Sequence, residues 1–302
     1  MRIDVHQHVW TEPLIEALSR REQLPFVRRS GGLTLLHSAG EQPYLIDLAA
    51  EAPARRAALV RADGLDLALV AISSPIGIEA LPREQALELI DAHLAGVQAL
   101  GPEFAAWGPL PLDRPAPDDV DRLLAQGCIG VSLPAQALAG YDALDAAGPV
   151  LERVAQNGAT LMIHPGRPAA HSCGVSLNEP LWWSALTDYV AQMQAAWLTF
   201  AARGRREHPS LAVLWTMLAG EAPLHTERLA ARGGPPIDLR DPLSFYETSS
   251  YGPVAIEVLA RRVGAEQLVY GSDRPVIEPV STGRDVLLQE QGAAVLAGVT
   301  AL

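Results

Sequence analysis

Two histidines near the start of the chain, His6 and His8, are separated by one residue and end a short apolar run. In a β-strand, residues i and i+2 point to the same face, so both imidazoles would project from one side of the strand's end. Two imidazoles on one face can bind a cation when other parts of the chain bring further ligands to it. The spacing therefore indicates part of a metal site, and other elements must complete it.

Eight short apolar runs along the chain are predicted to be buried strands. Near-continuous apolarity without alternation is typical of parallel strands that are covered on both faces. The predicted strands are Arg2–His6, Leu67–Ile72, Phe104–Leu110, Cys128–Leu133, Ala159–His164, Leu211–Thr216, Leu243–Thr248 and Leu268–Asp273.

Segments with helical periodicity alternate with these strands. The predicted helices are Ala50–Asp63, Glu84–Leu100, Pro117–Gln126, Asp145–Asn157, Ser184–His208, Pro223–Ala231, Val254–Val263 and Thr282–Gln291. A strand followed by a helix, repeated eight times, predicts an α/β fold: a distorted (β/α)8 TIM barrel with right-handed crossovers, in which residues 1–302 form a single domain. A doubly wound open sheet is the alternative, but no glycine fingerprint follows the first strand.

The barrel would place four polar side chains at one rim. His6 and His8 end strand 1, His164 ends strand 5, and Asp273 ends strand 8. Such barrels carry their chemistry at the C-terminal ends of the strands, where strands 1 and 8 are neighbours and strand 5 lies opposite. We therefore predict that these four residues bind one divalent metal ion, and that Asp273 also transfers a proton. Three imidazoles and one carboxylate favour zinc.

The composition excludes several classes of function. All 23 basic residues are arginine, so the chain has no lysine for a Schiff base or a carbamylated metal bridge. The formal net charge of −12 argues against a nucleic acid partner. The sequence has no run of 18 apolar residues that would predict a membrane segment, and its N-terminus lacks a signal-peptide pattern. Cys128 and Cys173 are predicted to be free thiols, and the protein to be cytoplasmic.

Two long insertions, residues 11–53 and 166–184, follow strands 1 and 5 and so belong to the face that carries the chemistry. Loops of this length are uncommon unless they bind a ligand, so we predict that the first is largely irregular and that both contribute to a substrate pocket. Histidines in loops, namely His37, His171 and His225, would lie near this pocket. His93 and His208 fall in or at the end of predicted helices and are expected at the surface.

The predicted partner is a small organic molecule. Arg167 and Arg274 directly follow ligand positions, and each could hold a substrate carboxylate in a bidentate pair. A surface salt bridge is the alternative for each arginine. Trp10 is predicted to bind the substrate as part of an aromatic-lined pocket, to which loop aromatics would contribute: Trp182, Trp183 and Tyr251.

Five strand-end motifs resemble those of the amidohydrolase superfamily. They are IDVHQH, LMIHPG, HPSLAVLW, DPLSFYETSSYGP and LVYGSDRP, and in this order they cover nearly the whole chain. The resemblance is to the amidohydrolase-related branch that includes aminocarboxymuconate-semialdehyde decarboxylase, resorcylate-type decarboxylases and several lactone hydrolases. It implies a mononuclear divalent-metal site at His6, His8, His164 and Asp273, and a homodimer.

One position departs from the family pattern. Members of the branch usually carry a histidine at the end of strand 6 that helps to activate the metal-bound water, and Met217 stands at that position here. Methionine cannot act as a general base. Either Asp273 serves alone, or another group reaches the site, such as His171, Glu221 or His225, or the usual chemistry has been lost.

The favoured reaction is hydrolysis of an amide, lactone or related bond in a small carboxylate-bearing metabolite. A metal-activated water would attack the carbonyl, and Asp273 would shuttle the proton. The first alternative is non-oxidative decarboxylation, in which Asp273 would protonate carbon. The second is a barrel without hydrolytic activity, which binds a ligand or catalyses an isomerisation or cyclisation, because Met217 removes the usual base.

Overall fold

The computed structural model describes residues 1–166 and 179–297, and most of its strands belong to one parallel sheet. The described residues form eleven strands, numbered in chain order: β1 (Ile3–Gln7), β2 (Phe26–Ser30), β3 (Leu33–His37), β4 (Tyr44–Ile46), β5 (Leu67–Val70), β6 (Phe104–Pro109), β7 (Gly130–Pro134), β8 (Thr160–His164), β9 (Ala212–Trp215), β10 (Ser244–Glu247) and β11 (Leu268–Val269). Eight of them pair in the order β1-β5-β6-β7-β8-β9-β10-β11.

The sheet closes between its first strand and the segment that follows β11. The Val5 amide donates to the Tyr270 carbonyl at 2.9 Å, and the Asp273 amide donates to the His6 carbonyl at 2.9 Å. The predicted (β/α)8 barrel is therefore confirmed. Its last strand is shorter than predicted, because only Leu268–Val269 is regular and the following residues close the barrel as an irregular segment.

Helices connect the strands on the outside of the barrel. They are α1 (Glu12–Ser19), α2 (Pro53–Ala62), α3 (Arg83–Gln98), α4 (Pro117–Ala125), α5 (Tyr141–Gln156), α6 (Trp183–Leu186), α7 (Asp188–Thr199), α8 (Arg205–Glu207), α9 (Thr226–Ala231), α10 (Pro253–Val263) and α11 (Asp285–Ala297). The helix predicted over Ser184–His208 is interrupted at Thr187 and contains a π-helical turn at Phe200–Gly204. None of the described helices is both long enough and apolar enough to cross a membrane.

The first insertion is ordered, which corrects the prediction that residues 11–53 are largely irregular. It contains α1 and a separate antiparallel sheet in the order β2-β3-β4. Ser30 pairs with Leu33 across a two-residue turn, in which Gly31 and Gly32 have φ of 57° and 81°. Two successive positive φ angles are what a type I′ hairpin requires, so the GG pair was the local signal for this hairpin.

A left-handed turn follows β9. Five consecutive residues from Met217 to Glu221 have φ between 50° and 60°, and only Gly220 among them is glycine. Each non-glycine residue in this conformation costs about 1–2 kcal/mol, so the surrounding packing must hold the turn. Gly220 is required on steric grounds, because a Cβ there would lie 2.7 Å from the Val190 carbonyl. Gln194 also donates to the Gly220 carbonyl at 2.8 Å.

Glu79, in the connection that follows β5, is fully buried. Its Oε1 accepts a hydrogen bond from the Ser74 hydroxyl, and its Oε2 has no hydrogen-bond partner among the described residues. Burial raises the pKa of Glu79 to about 7, and the Ser74 hydrogen bond only partly offsets this. The folded protein therefore keeps a proton on this group at pH values where the unfolded chain, with a pKa near 4.5, has lost it.

This difference predicts a pH-dependent contribution to stability. Between pH 4.5 and pH 7 the folded state binds the extra proton, so the contribution of Glu79 to the free energy of unfolding falls as pH rises. When the pH is raised from 5 to 8, we expect the free energy of unfolding of Glu79→Gln to increase by about 2 to 3 kcal/mol relative to that of wild type. Urea unfolding at both pH values measures the gain. Glu84→Gln, at an exposed position, is the control, and an equal pH response in both variants would contradict the prediction.

Candidate metal centre

Three buried histidines converge at the C-terminal rim of the barrel. His6 and His8 come from the end of β1, and His164 is the last residue of β8 on the opposite side. One ring nitrogen from each lies within 4.8 Å of the others. The Nε2 atoms of His6 and His8 are 3.3 Å apart. The strand-end spacing therefore brings three imidazoles to one point, as the sequence predicted.

The outward nitrogen of each ring has a hydrogen-bond partner. His8 Nδ1 lies 2.8 Å from the Ala71 carbonyl, and His164 Nδ1 lies 2.8 Å from the Pro165 carbonyl. A carbonyl can only accept, so both Nδ1 atoms carry the proton and, in the neutral rings, Nε2 keeps its lone pair. His6 Nδ1 lies 3.2 Å from Glu247 Oε2. Hydrogen-bonded Nδ1 atoms with Nε2 atoms that face a common point are typical of metal-binding histidines, so the residues present fit a metal ion.

Charge and burial act differently on the His164 and His6 rings. Burial lowers the pKa of His164 well below its usual value, and the nearby His6 and His8 lower it further. This keeps the His164 ring neutral, which is the form that binds a metal. Burial also lowers the pKa of His6, but the hydrogen bond and charge of Glu247, together with the charges of Asp273 and Asp4, outweigh burial and the net shift is upward.

Asp273 lies on the Nε2 side of this histidine cluster. Its Oδ1 is 3.2 Å from His8 Nε2 and 3.8 Å from His6 Nε2, and 16% of its side chain is exposed. The residue has φ of 55°, in the left-handed region that aspartate tolerates better than most residues. Its neighbour Ser272 donates its amide to the buried carboxyl of Asp4 at 3.0 Å, which fixes the segment beside β1. Asp273 is thus placed where the sequence predicted a fourth ligand or proton carrier.

A buried ion pair fixes the backbone that follows His8. Arg56 donates to the His8 carbonyl at 2.7 Å and lies 3.5 Å from Glu51, and Glu51 accepts from the Trp10 amide at 2.8 Å. Sequence reasoning missed Glu51 and Arg56, because neither stands at a strand end. Arg56 lies inside the predicted helix over Ala50–Asp63, where an arginine is most often exposed.

A cavity of about 530 Å³ lies beside the rim. Trp10 lines it and packs against Tyr44 with ring centroids 5.8 Å apart. Ser73, two residues after Ala71, whose carbonyl contacts His8 Nδ1, and Val276, three residues after Asp273, also line it. Residues of the first insertion contribute to its wall, as predicted for that segment: Leu36, Ser38, Glu41, Gln42, Pro43, Tyr44 and Leu45.

Other predicted substrate contacts are not at this cavity. Arg274 is paired with Asp63 and, at 3.3 Å, with Glu278, and it does not line the cavity. These pairings correspond to the salt-bridge alternative and do not support the binding of a substrate carboxylate by Arg274. Arg167, with His171 and Cys173, lies outside the described residues. The other loop aromatics do not line the cavity either: Trp182, Trp183 and Tyr251. Trp182 and Trp183 pack on each other with ring centroids 5.7 Å apart.

Two of the proposed replacements for the strand-6 base do not contact the cluster through any hydrogen bond among the described residues. His225 is exposed and lies 3.3 Å from Gln194 Nε2. Glu221 ends the left-handed turn. Met217 is half-buried, and its backbone amide donates to Glu247 Oε2 at 3.1 Å. The buried Glu247 was missed, although it carries the same signal as Asp273, namely an acidic residue at the end of an apolar strand.

The sequence matches a family model described as amidohydrolase over residues 3–298. The chain belongs to the amidohydrolase family. This confirms the resemblance that the strand-end motifs indicated. No curated protein sequence matches the chain. In this amidohydrolase, the three histidines form a cluster able to bind a metal ion.

Three solved decarboxylases share the fold of this amidohydrolase. 5-Carboxyvanillate decarboxylase from Sphingomonas paucimobilis has a TM-score of 0.72 at 17% identity, covering 98% of each chain. The corresponding enzyme from Novosphingobium aromaticivorans, described with bound manganese and a nitrobenzoic acid, has a TM-score of 0.71 at 17% identity, covering 98% of this chain and 97% of that one. 2,6-Dihydroxybenzoate decarboxylase from Rhizobium has a TM-score of 0.67 at 15% identity, covering 98% of each chain. At these identities the likeness establishes a shared fold.

Proposed function

We propose that this amidohydrolase catalyses the non-oxidative decarboxylation of a small, planar organic acid with the help of one divalent metal ion. Decarboxylation, the first alternative from the sequence, now takes precedence over hydrolysis. The observation that carries the proposal is the distribution of carboxyl groups around the cluster. Asp273 stands on the Nε2 side and is partly exposed, whereas Glu247 stands behind His6 and is completely buried.

One accessible carboxyl group suffices for decarboxylation. The reaction forms one C–H bond and breaks one C–C bond, so it needs a single proton donor. Hydrolysis needs a base for water and an acid for the leaving group, and Met217 occupies the position of the usual base. Three solved proteins with the same fold are decarboxylases of aromatic acids, which supports the same choice.

His6, His8 and His164 would hold the metal through Nε2, with Asp273 as a fourth ligand or as the proton carrier. A bound divalent ion would orient the substrate's carboxylate or a neighbouring hydroxyl and withdraw electron density from it. Imidazole ligands favour zinc, and one relative is described with manganese, so both ions are to be tested. The cavity beside Trp10 would hold the apolar body of the substrate.

The proton balance assigns a distinct role to Asp273. Protonated Asp273 gives its proton to the carbon that bears the carboxylate, and the new C–H bond forms there. The C–C bond to the carboxylate then breaks, its electron pair stays on the carbon that received the proton, and CO₂ leaves. The Asp273 carboxylate regains a proton from solvent. Net consumption is one proton per CO₂ released.

The experiment is incubation of the zinc- or manganese-loaded protein with hydroxy- and methoxybenzoic acids in D₂O. We expect CO₂ in a one-to-one ratio with a decarboxylated product that carries one deuterium at the carbon that lost the carboxylate. Amides and lactones of the same acids are the comparison substrates. Hydrolysis of these compounds without release of CO₂ from any acid would overturn the proposal in favour of hydrolysis.

Met217 allows a separate prediction for the hydrolytic alternative. A histidine introduced at this position would stand beside the cluster, because the Met217 amide and His6 share Glu247 as a hydrogen-bond partner. We expect Met217→His to raise the hydrolysis of activated lactones by about 10²-fold over the native chain, the lower end of general-base assistance. Met217→Leu is the control. Native lactonase activity that Met217→His leaves unchanged or lowers would contradict this prediction.

A further inference from the structure

Glu247 is an unusual carboxylate because it is fully buried and is surrounded by hydrogen-bond donors. Its Oε2 accepts from the Met217 amide at 3.1 Å and from the Ser249 hydroxyl at 2.9 Å, and it lies 3.2 Å from His6 Nδ1. Its Oε1 accepts from the Ser249 amide. Glu247 has no exposed surface, so it cannot touch a substrate.

Among the three histidines of the cluster, only His6 depends on a side chain for its Nδ1 contact. His8 and His164 use the backbone carbonyls of Ala71 and Pro165. A carboxylate that accepts from Nδ1–H fixes the tautomer and makes Nε2 a stronger ligand than a neutral carbonyl does. The orientation of His6 is therefore set by one replaceable residue.

The backbone near Glu247 is shaped to leave room for its carboxylate. A Cβ at Gly271 would lie 2.2 Å from Glu247 Oε1 and 2.5 Å from its carboxyl carbon. The segment that leads to Asp273 therefore passes directly over the Glu247 side chain. On the other side, the Met217 amide opens the left-handed turn after β9.

We propose that Glu247 is a positioning residue that fixes the tautomer and orientation of His6 and joins it to the Met217 turn and the Asp273 segment. This inference rests on the proposed metal centre for its consequence, which is metal affinity. The tautomer and orientation of the His6 ring, by contrast, do not depend on the metal and are the same question in the metal-free protein. Glu247 thus acts through His6 and is not itself a ligand or a proton carrier.

The test compares Glu247→Gln with Ser249→Ala. A glutamine has the same shape but only one acceptor oxygen, so its amide group must face a donor among His6 Nδ1–H, Met217 N–H and Ser249 N–H. Ser249→Ala removes a donor to the same carboxylate without changing the acceptor that faces His6. Glu247→Asp, which keeps the charge on a shorter side chain, tests rescue. Circular dichroism and thermal melting confirm that each variant is folded.

Two readouts separate the inference from the proposed function. The first is the ¹⁵N spectrum of the histidine rings in metal-free protein. At a pH where the His6 ring is neutral, we expect it to be the Nδ1–H tautomer in wild type and in Ser249→Ala, and to lose this state in Glu247→Gln. The second is zinc affinity in competition with a chelating dye. We expect a 10- to 100-fold loss in Glu247→Gln, a smaller loss in Glu247→Asp, and about 2-fold or less in Ser249→Ala.

An unchanged His6 spectrum together with zinc affinity within about 2-fold of wild type in Glu247→Gln would overturn the inference. Gly271→Ala gives a second route, because the added methyl must displace the Glu247 carboxylate. It should reproduce the Glu247→Gln spectrum, and a wild-type spectrum would count against the inference. If wild type binds neither zinc nor manganese, the proposed function fails, whereas the spectrum of metal-free Glu247→Gln still decides whether Glu247 positions His6.

Discussion

Asp273→Asn is expected to lower kcat for decarboxylation by about 10²- to 10⁴-fold, the usual contribution of a positioned acid or base. The amide keeps the shape of the side chain but cannot supply the proton to the carbon that loses the carboxylate. Its effect should be on kcat, because the cavity that would hold the substrate is lined by residues other than Asp273. Steady-state rates at saturating zinc or manganese measure this loss.

The matched control for this variant is Glu278→Gln. Glu278 lies five residues after Asp273 in the same segment and is an exposed partner of Arg274, so its replacement changes one charge nearby without altering the histidine cluster. We expect kcat within about 2-fold of wild type, as for most surface changes. Metal content is measured in both variants, because Asp273 is also a proposed ligand. An Asp273→Asn enzyme that is fully metal-loaded and retains more than a tenth of wild-type kcat would refute the proton-transfer role.

The second large effect concerns acid stability and depends on His93 in α3. This residue was expected at the surface, but it is 1% exposed, and neither ring nitrogen has a hydrogen-bond partner among the described residues. Burial lowers the pKa of His93 to about 3, and the nearby His8 lowers it further. The unfolded chain binds a proton here near pH 6.5, so the unfolded state gains protons first as the pH falls.

This order of protonation decides how the free energy of unfolding changes with pH. The contribution of His93 to the free energy of unfolding is complete above pH 6.5 and falls as the pH drops toward 3, by about 2 kcal/mol at pH 5 and by about 5 kcal/mol in total. His93→Leu removes the titrating group. When the pH is lowered from 7 to 5, we expect the free energy of unfolding of this variant to increase by about 2 kcal/mol relative to that of wild type, as measured by urea unfolding.

An exposed histidine provides the control for this measurement. His225→Asn should follow the wild-type pH response, since His225 lies at the surface. Glu79 contributes in the opposite direction over part of this range, because its folded-state pKa is raised, but it is common to wild type and both histidine variants. If His93→Leu and wild type lose stability in parallel between pH 7 and pH 5, His93 is not buried in its neutral form.

The barrel and the cluster could be predicted because both depend on simple periodicities. Continuous apolar runs identify strands that are covered on both faces, and the i, i+2 rule places His6 and His8 together. His164 and Asp273 also end predicted strands, so they are expected at the same rim of the barrel. The fold was therefore readable from strand positions alone, and the cluster from the residues at the strand ends.

Other features depend on tertiary contacts that no local pattern encodes. The pairing of Arg274 with Asp63 joins residues more than 200 positions apart, so its direction could not be read from its place next to Asp273. His93 lies on the helix face that packs inward, and a single polar residue there reads as exposed. The left-handed turn at Met217 is held by packing and by Glu247 against the preference of its non-glycine residues.

The most direct measurement of the metal centre is an anomalous difference map from crystals of the zinc-loaded protein. We predict one peak about 2.0 to 2.1 Å from Nε2 of His6, His8 and His164, next to the carboxylate of Asp273. A map that shows zinc only elsewhere on the protein, or none while these three nitrogens keep their positions, would contradict the metal centre on which the proposed decarboxylation depends.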